Sequence, residues 1–173
     1  MRGPEYRLLS IWRIEAPLEE VYSTILDSLR WPEWWSDVQK VEQMAAGGAD
    51  GIDNVRRYFW KGQLPYRMVV DVRTTRVEHL VAIEGVAQGD LEGIGCWRFS
   101  REGAISVVRY EWHVRSNRWW MNLIAPFARS MFIRNHALVM GKGGEELARR
   151  LKSRMIKMES VDLMAETAPS FTP

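Results

Sequence analysis

Cysteine is almost absent from this sequence, which has only Cys96 among its 173 residues. A single thiol can form neither an intramolecular disulfide nor a cysteine-based metal site, and it fits a reducing compartment. Histidine is scarce as well, because the three histidines of the chain are scattered and lack the spacing of a metal-binding motif. We therefore expect no metal, no other cofactor and a cytoplasmic location.

A strong excess of one charge is also missing. The chain has 24 basic and 22 acidic residues, so its net charge is only +2. That balance does not suit a surface that follows a phosphate backbone, and we expect no nucleic-acid partner. The N-terminus, MRGPEYRLLS, is charged and lacks the apolar run of a signal peptide. No window holds the roughly 18 uninterrupted apolar residues that a membrane span needs.

Tryptophan, by contrast, is abundant. The chain has nine tryptophans, five tyrosines and five phenylalanines, and the stretch RWPEWWSDV at Arg30–Val38 places three indoles within five residues. Large flat rings contribute much apolar area and often carry one polar atom. This composition predicts an interior or a binding site lined with aromatic rings.

The order of elements predicts an α+β fold. A first strand, Tyr6–Ile14, precedes a helix over residues 15–29, which has Pro17 at its start and is followed by a short turn after Pro32. Period-two alternation then continues to about Asn117, and a long helix is expected over Trp119–Met155, kinked or beginning at Pro126. This order favours a curved antiparallel sheet wrapped around a long C-terminal helix, with two short helices closing one end. We expect one domain over residues 1–158 and a disordered tail over residues 159–173.

Several short motifs carry a resemblance to a known family. They are IEAPLEEV at Ile14–Val21, WPEWWSDVQKVE, LPY at Leu64–Tyr66, GDLEG at Gly89–Gly93 and the helical pair His136 and Met140. With them the chain resembles, from about Arg7 to Leu151, the polyketide cyclase/dehydrase and lipid-transport branch of the START/Bet v1-like (SRPBCC) superfamily. The resemblance implies a helix-grip (Bet v1-like) fold that encloses an apolar cavity. Members bind lipids, sterols, hormones, polyketides or quinones, and a minority catalyse cyclisation or dehydration.

The candidate ligand-binding residues are mostly aromatic side chains at alternating strand positions. One interpretation is a cavity lined with rings; the other is that the rings fill the core, and the sequence leaves both open. The strand face that lines the cavity is equally undetermined, because a shift of one residue turns a whole set outward. The candidates are Trp35, Tyr58, Trp60, Tyr66, Met68, Glu84, Trp97, Tyr110, Trp112, His136 and Met140.

Two of these candidates are titratable. His136 falls on the same helical stripe as Met140 and Leu147, which predicts that its imidazole faces the sheet, either as a proton donor or acceptor or as a buried, hydrogen-bonded core residue. Glu84 lies in the apolar strand LVAIEGVA. A buried Glu84 would act as an acid or base, whereas a Glu84 paired with an arginine of a neighbouring strand would be structural.

Three functional hypotheses follow from the residues and the resemblance. The first is the binding of a hydrophobic or aromatic small molecule, such as a lipid or polyketide, in a cavity between the sheet and the C-terminal helix. The alternative is an enzyme of the polyketide cyclase, aromatase or dehydratase type, although no catalytic motif identifies its residues. A weaker alternative is a quinone-binding or lipid-transfer protein.

A second apolar stripe on the long helix points to a further contact. It lies roughly opposite His136, and Arg118, Arg129 and Arg134 are nearby. A helix that is apolar on two sides is either buried on both sides by other parts of the chain or in contact with a partner. The alternatives are transient contact with a membrane surface, a homodimer, or burial under the short helices. The stripe consists of Trp120, Ile124, Phe127, Met131 and Leu138.

Overall fold

An antiparallel sheet forms the framework of the computed structural model, which describes residues 3–63, 66–118 and 125–165. In these ranges the sheet has eight strands in the order β2-β3-β4-β5-β6-β7-β1-β8. Each strand from β2 to β6 pairs with the next along the chain, and β1 lies between β7 and β8. The strands are β1 Glu5–Ile14, β2 Val38–Ala45, β3 Val55–Trp60, β4 Met68–Glu78, β5 Ala82–Gly89, β6 Leu91–Glu102, β7 Ile105–Ser116 and β8 Met155–Asp162.

Two helical segments connect β1 to β2. Helix α1, Leu18–Leu26, follows Pro17 and has two glutamates in its first turn, where the helix dipole favours negative charge. Val21 and Ile25 bury its apolar face. A 3-10 helix, Ser28–Glu33, contains Pro32, so the predicted short turn is a separate element rather than the end of α1.

Helix α2, Ala125–Arg150, packs on one face of the sheet through two separate groups of core residues. Near its start, Ala128 and Phe132 join a cluster that includes Tyr6 of β1. Near its end, Leu147 and Ala148 join a larger cluster around Trp12. The predicted α+β fold with a long C-terminal helix is therefore confirmed.

The glycines inside α2 allow other parts of the chain to come close to the helix. A Cβ atom on Gly144 would lie 2.9 Å from the indole nitrogen of Trp12, which belongs to β1. One on Gly143 would lie only 2.2 Å from Trp35 Cε2, well inside van der Waals contact. Close packing thus accounts for these glycines, each of which costs about 1 kcal/mol against alanine inside a helix.

The C-terminal region differs from the sequence-based expectation. Helix α2 ends at Arg150 rather than near Met155, and Lys152 then adopts a left-handed conformation with φ 53°. Strand β8 follows and pairs along β1 from Leu8 to Ile14. The predicted disorder from residue 159 is thus wrong for residues 159–162. The cause is non-local, because β8 is stabilised by hydrogen bonds to a strand about 150 residues earlier, and local periodicity does not contain that information.

Some predictions fall on segments outside the described residues. These segments are residues 64–65 of the LPY motif, residues 119–124 at the predicted start of the long helix, and residues 166–173 of the predicted tail. Among the described residues, none of the helices combines the length and the apolar character that crossing a bilayer requires.

Candidate functional site

A cavity of about 380 Å³ lies between the sheet and the middle of α2. Asn135, His136, Val139 and Met140 border it from the helix, between the two packed ends described above. The volume falls within the range of about 300–1,000 Å³ that is usual for small-molecule sites. The space between sheet and helix is therefore not filled by the side chains that surround it.

All eleven predicted site residues border this cavity. The sheet contributes the side of each strand that faces α2, so Tyr58 and Trp60 of β3 lie beside Met68 of β4, and Trp97 of β6 lies opposite Tyr110 of β7. The structure thus brings together residues from five strands, from the segment after α1 and from α2. The full set is Trp35, Tyr58, Trp60, Tyr66, Met68, Glu84, Trp97, Tyr110, Trp112, His136 and Met140.

Three stacked rings form one wall, which we call the aromatic ladder: Trp97, Tyr110 and Trp112. The ring centroids of Trp97 and Tyr110 are 4.2 Å apart, and those of Tyr110 and Trp112 are 5.6 Å apart. Their planes are inclined by less than 30° to one another. Offset stacking of this kind fixes the rings and leaves a flat apolar surface. The wall is suited to contact with another flat molecule.

Two polar groups near the middle of the cavity face each other, and neither has a hydrogen-bond partner in the described part of the chain. They are the imidazole of His136 and the hydroxyl of Tyr110, whose rings are parallel with centroids 6.5 Å apart. Burial lowers the pKa of His136 to about 4, so the ring is neutral at pH 7. Burial also raises the pKa of Tyr110 well above its usual value. Both groups can therefore form hydrogen bonds to a ligand as neutral groups.

The tryptophan-rich segment closes one end of the cavity as a solid layer. Trp35 is fully buried, with its ring centroid 5.1 Å from Trp31 and 5.8 Å from Trp12. Its indole N–H donates a hydrogen bond of 3.2 Å to the carbonyl of Val139 in α2. Trp35 therefore borders the cavity as a core residue, anchored on both sides, rather than as a movable cover.

Glu84 borders the cavity but does not supply a buried acid. It lies opposite Cys96, and the alternation of β6 places that position on the face opposite to Trp97. There the Glu84 carboxylate accepts hydrogen bonds of 2.8 Å from Arg76 and 3.3 Å from Arg98. The hypothesis that Glu84 is a buried acid or base is wrong, because cross-strand arginines hold its carboxylate on the outer face.

A basic group that was absent from the predicted site also borders the cavity. Arg56 lies on the same side of β3 as Tyr58, and its Nη1 donates a hydrogen bond of 2.8 Å to Ser28 Oγ. Ser28 Oγ is in turn 2.7 Å from the hydroxyl of Tyr58. The alternation of Arg56, Tyr58 and Trp60 was the signal that could have identified Arg56, since residues two apart share a face.

Other predicted features lie away from the cavity. On the second stripe of α2, Phe127 has 82% of its surface exposed, and Met131 and Leu138 are exposed as well, so the described part of the chain does not bury them. Arg129 forms an ion pair with Asp162, and Arg118 forms one with Asp90. Contact of this stripe with a membrane surface or a second copy stays a prediction. Within the described ranges, no three metal-ligating side chains come together.

Comparison with solved structures reveals the same fold in proteins of low sequence identity. A protein from Thermus thermophilus superposes with a TM-score of 0.65 at 18% identity, covering 85% of this chain and 99% of that one. The aromatase/cyclase Zhui from Streptomyces sp. R1128 has a TM-score of 0.65 at 16% identity, covering 85% of this chain and 96% of its own. A START superfamily protein from Mycobacterium smegmatis has a TM-score of 0.64 at 13% identity, with 84% and 97% covered.

A search of curated proteins finds no match to this chain. A family model, however, matches residues 12–152, which include every strand from β2 to β7, helices α1 and α2, and all eleven predicted site residues. The match extends over most of the 173 residues and agrees with the fold. The chain belongs to the polyketide cyclase/dehydrase and lipid transport family.

Proposed function

We propose that this protein binds a flat hydrophobic or aromatic small molecule between the sheet and helix α2. The observation that carries the proposal is the cavity of about 380 Å³, with the aromatic ladder on one wall and the unpartnered groups of Tyr110 and His136 beside it. Apolar walls supply affinity through burial, and a few polar groups orient the ligand. Family membership supports binding of a hydrophobic ligand in this space.

Binding can be tested with N-phenyl-1-naphthylamine, an uncharged aromatic probe whose fluorescence rises in apolar surroundings. We expect saturable binding by the wild type. Val72→Phe places a larger side chain on the cavity wall and should weaken binding by about tenfold, since each displaced CH₂ of contact is worth roughly 0.8 kcal/mol. Val69→Phe is the matched control, because Val69 belongs to the same strand but does not border the cavity. Absence of saturable binding by the wild type would refute the proposal.

An enzyme of the cyclase or dehydratase type is the second candidate. Its support is the similarity to solved aromatase/cyclase structures, together with two polar groups inside the cavity. Proton transfer, however, works best when the pKa of the catalytic group is near the working pH. Burial moves the pKa of His136 down and that of Tyr110 up, away from neutrality in both cases. The electrostatics of the cavity therefore favour binding over acid–base chemistry.

A further inference from the structure

The guanidinium group of Arg56 differs in its surroundings from that of the adjacent Arg57. Its neighbour Arg57 points to the opposite side of β3 and forms a bidentate pair with Asp71, at 2.7 and 2.8 Å. Arg56 borders the cavity instead, and no carboxylate of the described residues pairs with it. The cavity thus contains a positive charge that the described part of the chain does not neutralise.

The hydrogen bonds of Arg56 leave a buried donor unused. A guanidinium carries five N–H donors. The Nη1 atom donates to Ser28 Oγ and, at 3.2 Å, to the carbonyl of Leu26 at the end of α1. Of the remaining donors, Nε is completely buried and has no hydrogen-bond partner in the described ranges. A buried donor without an acceptor costs free energy until an acceptor arrives.

The hydroxyl pair beside Arg56 adds one further donor. Ser28 Oγ and Tyr58 Oη are 2.7 Å apart, so one of the two hydroxyl hydrogens bridges them and the other is free. Burial raises the pKa of Tyr58, while the hydrogen bond from Ser28 and the charge of Arg56 oppose that rise. The phenol is therefore protonated at neutral pH and keeps its hydrogen.

No other charge bordering the cavity compensates for Arg56 within the described ranges. The Glu84 carboxylate is held on the outer face by Arg76 and Arg98. Asp50, in the exposed loop before β3, forms no ion pair with Arg56, and its Oδ1 atom accepts a hydrogen bond of 3.0 Å from the amide of Ile52. The end of the cavity at Ser28 and Arg56 is accordingly positive and rich in donors, whereas the aromatic ladder is apolar.

We propose that Arg56, with the Ser28–Tyr58 hydroxyl pair, binds an anionic oxygen group, so that the ligand is an aromatic acid whose carboxylate lies at this end of the cavity. The inference rests on the ligand binding proposed above and names the chemical class of the ligand. A carboxylate accepts several N–H and O–H hydrogen bonds at once, and charge-assisted bonds of this kind are about twice as strong as neutral ones. Its rings then lie along Trp97, Tyr110 and Trp112.

Competition between two molecules of nearly the same shape tests this proposal. N-phenyl-1-naphthylamine serves as the bound reporter, and 2-naphthoate and the uncharged 2-acetonaphthone are added as competitors at neutral pH. We expect naphthoate to displace the reporter from the wild type at about a tenfold to hundredfold lower concentration, the range for hydrogen bonds to a charged group. Arg56→Gln should remove this preference, whereas Arg57→Gln, on the opposite side of β3, should keep the preference and leave reporter binding within about twofold of the wild type.

Each outcome decides a separate point. If the reporter does not bind the wild type, the proposed function fails. If it binds but the ketone competes as well as naphthoate, ligand binding survives and the acid-binding role of Arg56 is overturned. The comparison on the wild type needs no variant, so it remains decisive even if Arg56→Gln does not fold after losing its hydrogen bond to the end of α1.

Discussion

Two regions of the interior, both rich in aromatic rings, differ in how they fill the space between the sheet and α2. Around Gly143 the indoles of Trp12, Trp31 and Trp35 meet at several angles, and the helix backbone at Gly143 and Gly144 lies against Trp35 and Trp12. Around His136, one to two turns earlier, the rings of the aromatic ladder stack in parallel and a cavity separates them from the helix. The same residue types thus fill the space between the sheet and α2 around Gly143, which we call the solid region, and leave a cavity around His136, which we call the hollow region.

The difference arises from the helix as much as from the sheet. Gly143 has no side chain, so Trp35 lies against the helix backbone and the gap closes. His136 and Met140 of the helix border the cavity, and the ladder rings stack on each other instead. Stability should therefore depend mainly on the solid region, and ligand binding on the hollow one.

The largest expected effect on stability comes from Trp35→Ala. Removing a fully buried indole from the solid region should lower the free energy of unfolding by about 3–5 kcal/mol, measured by urea denaturation. Trp34→Ala is the matched control, since Trp34 is the adjacent residue of the same type and is only partly buried. Losses of equal size in the two variants would contradict a special role for the solid layer.

His136→Leu should change the pH dependence of stability. The pKa of His136 is about 4 in the folded protein and near 6.5 in the unfolded chain, so between these values the unfolded state binds the extra proton. The stability of the wild type should fall as the pH drops from about 6.5 to about 4, by up to about 3 kcal/mol.

Ion pairs lower the pKa of other carboxylates, such as Glu33 and Glu159, and the stabilisation that these carboxylates provide is also lost in acid. These carboxylates are present in both the wild type and His136→Leu. The difference between the two curves of stability against pH therefore gives the contribution of the imidazole. At neutral pH His136→Leu should be at least as stable as the wild type, because it removes a buried polar group without a partner in the described part of the chain. Parallel curves from pH 7 to pH 4 would show that His136 is not buried as described.

The smallest effect on stability, and the sharpest contrast between the regions, comes from adding one methyl group to each. In Gly143→Ala the new Cβ meets Trp35, which cannot move, so a net loss of about 1–2 kcal/mol remains after the gain in helix propensity. In Gly95→Ala the new Cβ would lie 2.6 Å from Trp112 Cζ3, but this ring borders free space. We expect a loss below about 1 kcal/mol and weaker binding of the reporter as the ring moves into the cavity. Equal losses of stability without a change in binding would remove the distinction between solid and hollow regions.

Much of the sheet was predictable because alternation is a local property. Residues two apart on a strand share a face, so Tyr58 and Trp60 had to point the same way, as did Tyr110 and Trp112. Strand β8 was not predictable in this way, because its hydrogen bonds go to β1 at the other end of the chain. The role of Glu84 stayed open for a related reason: the arginines that confirm the pairing alternative, Arg76 and Arg98, lie on two neighbouring strands.

The sequence by itself determined which residues can share a face, where the short helical segments lie, and that the interior would be aromatic. These properties follow from local periodicity, proline positions and composition. Only the tertiary structure decided that the rings leave a cavity, that Arg56 has no counterion among the described residues, and that Trp35 belongs to a solid layer. Each of these depends on how segments far apart in the chain pack against one another.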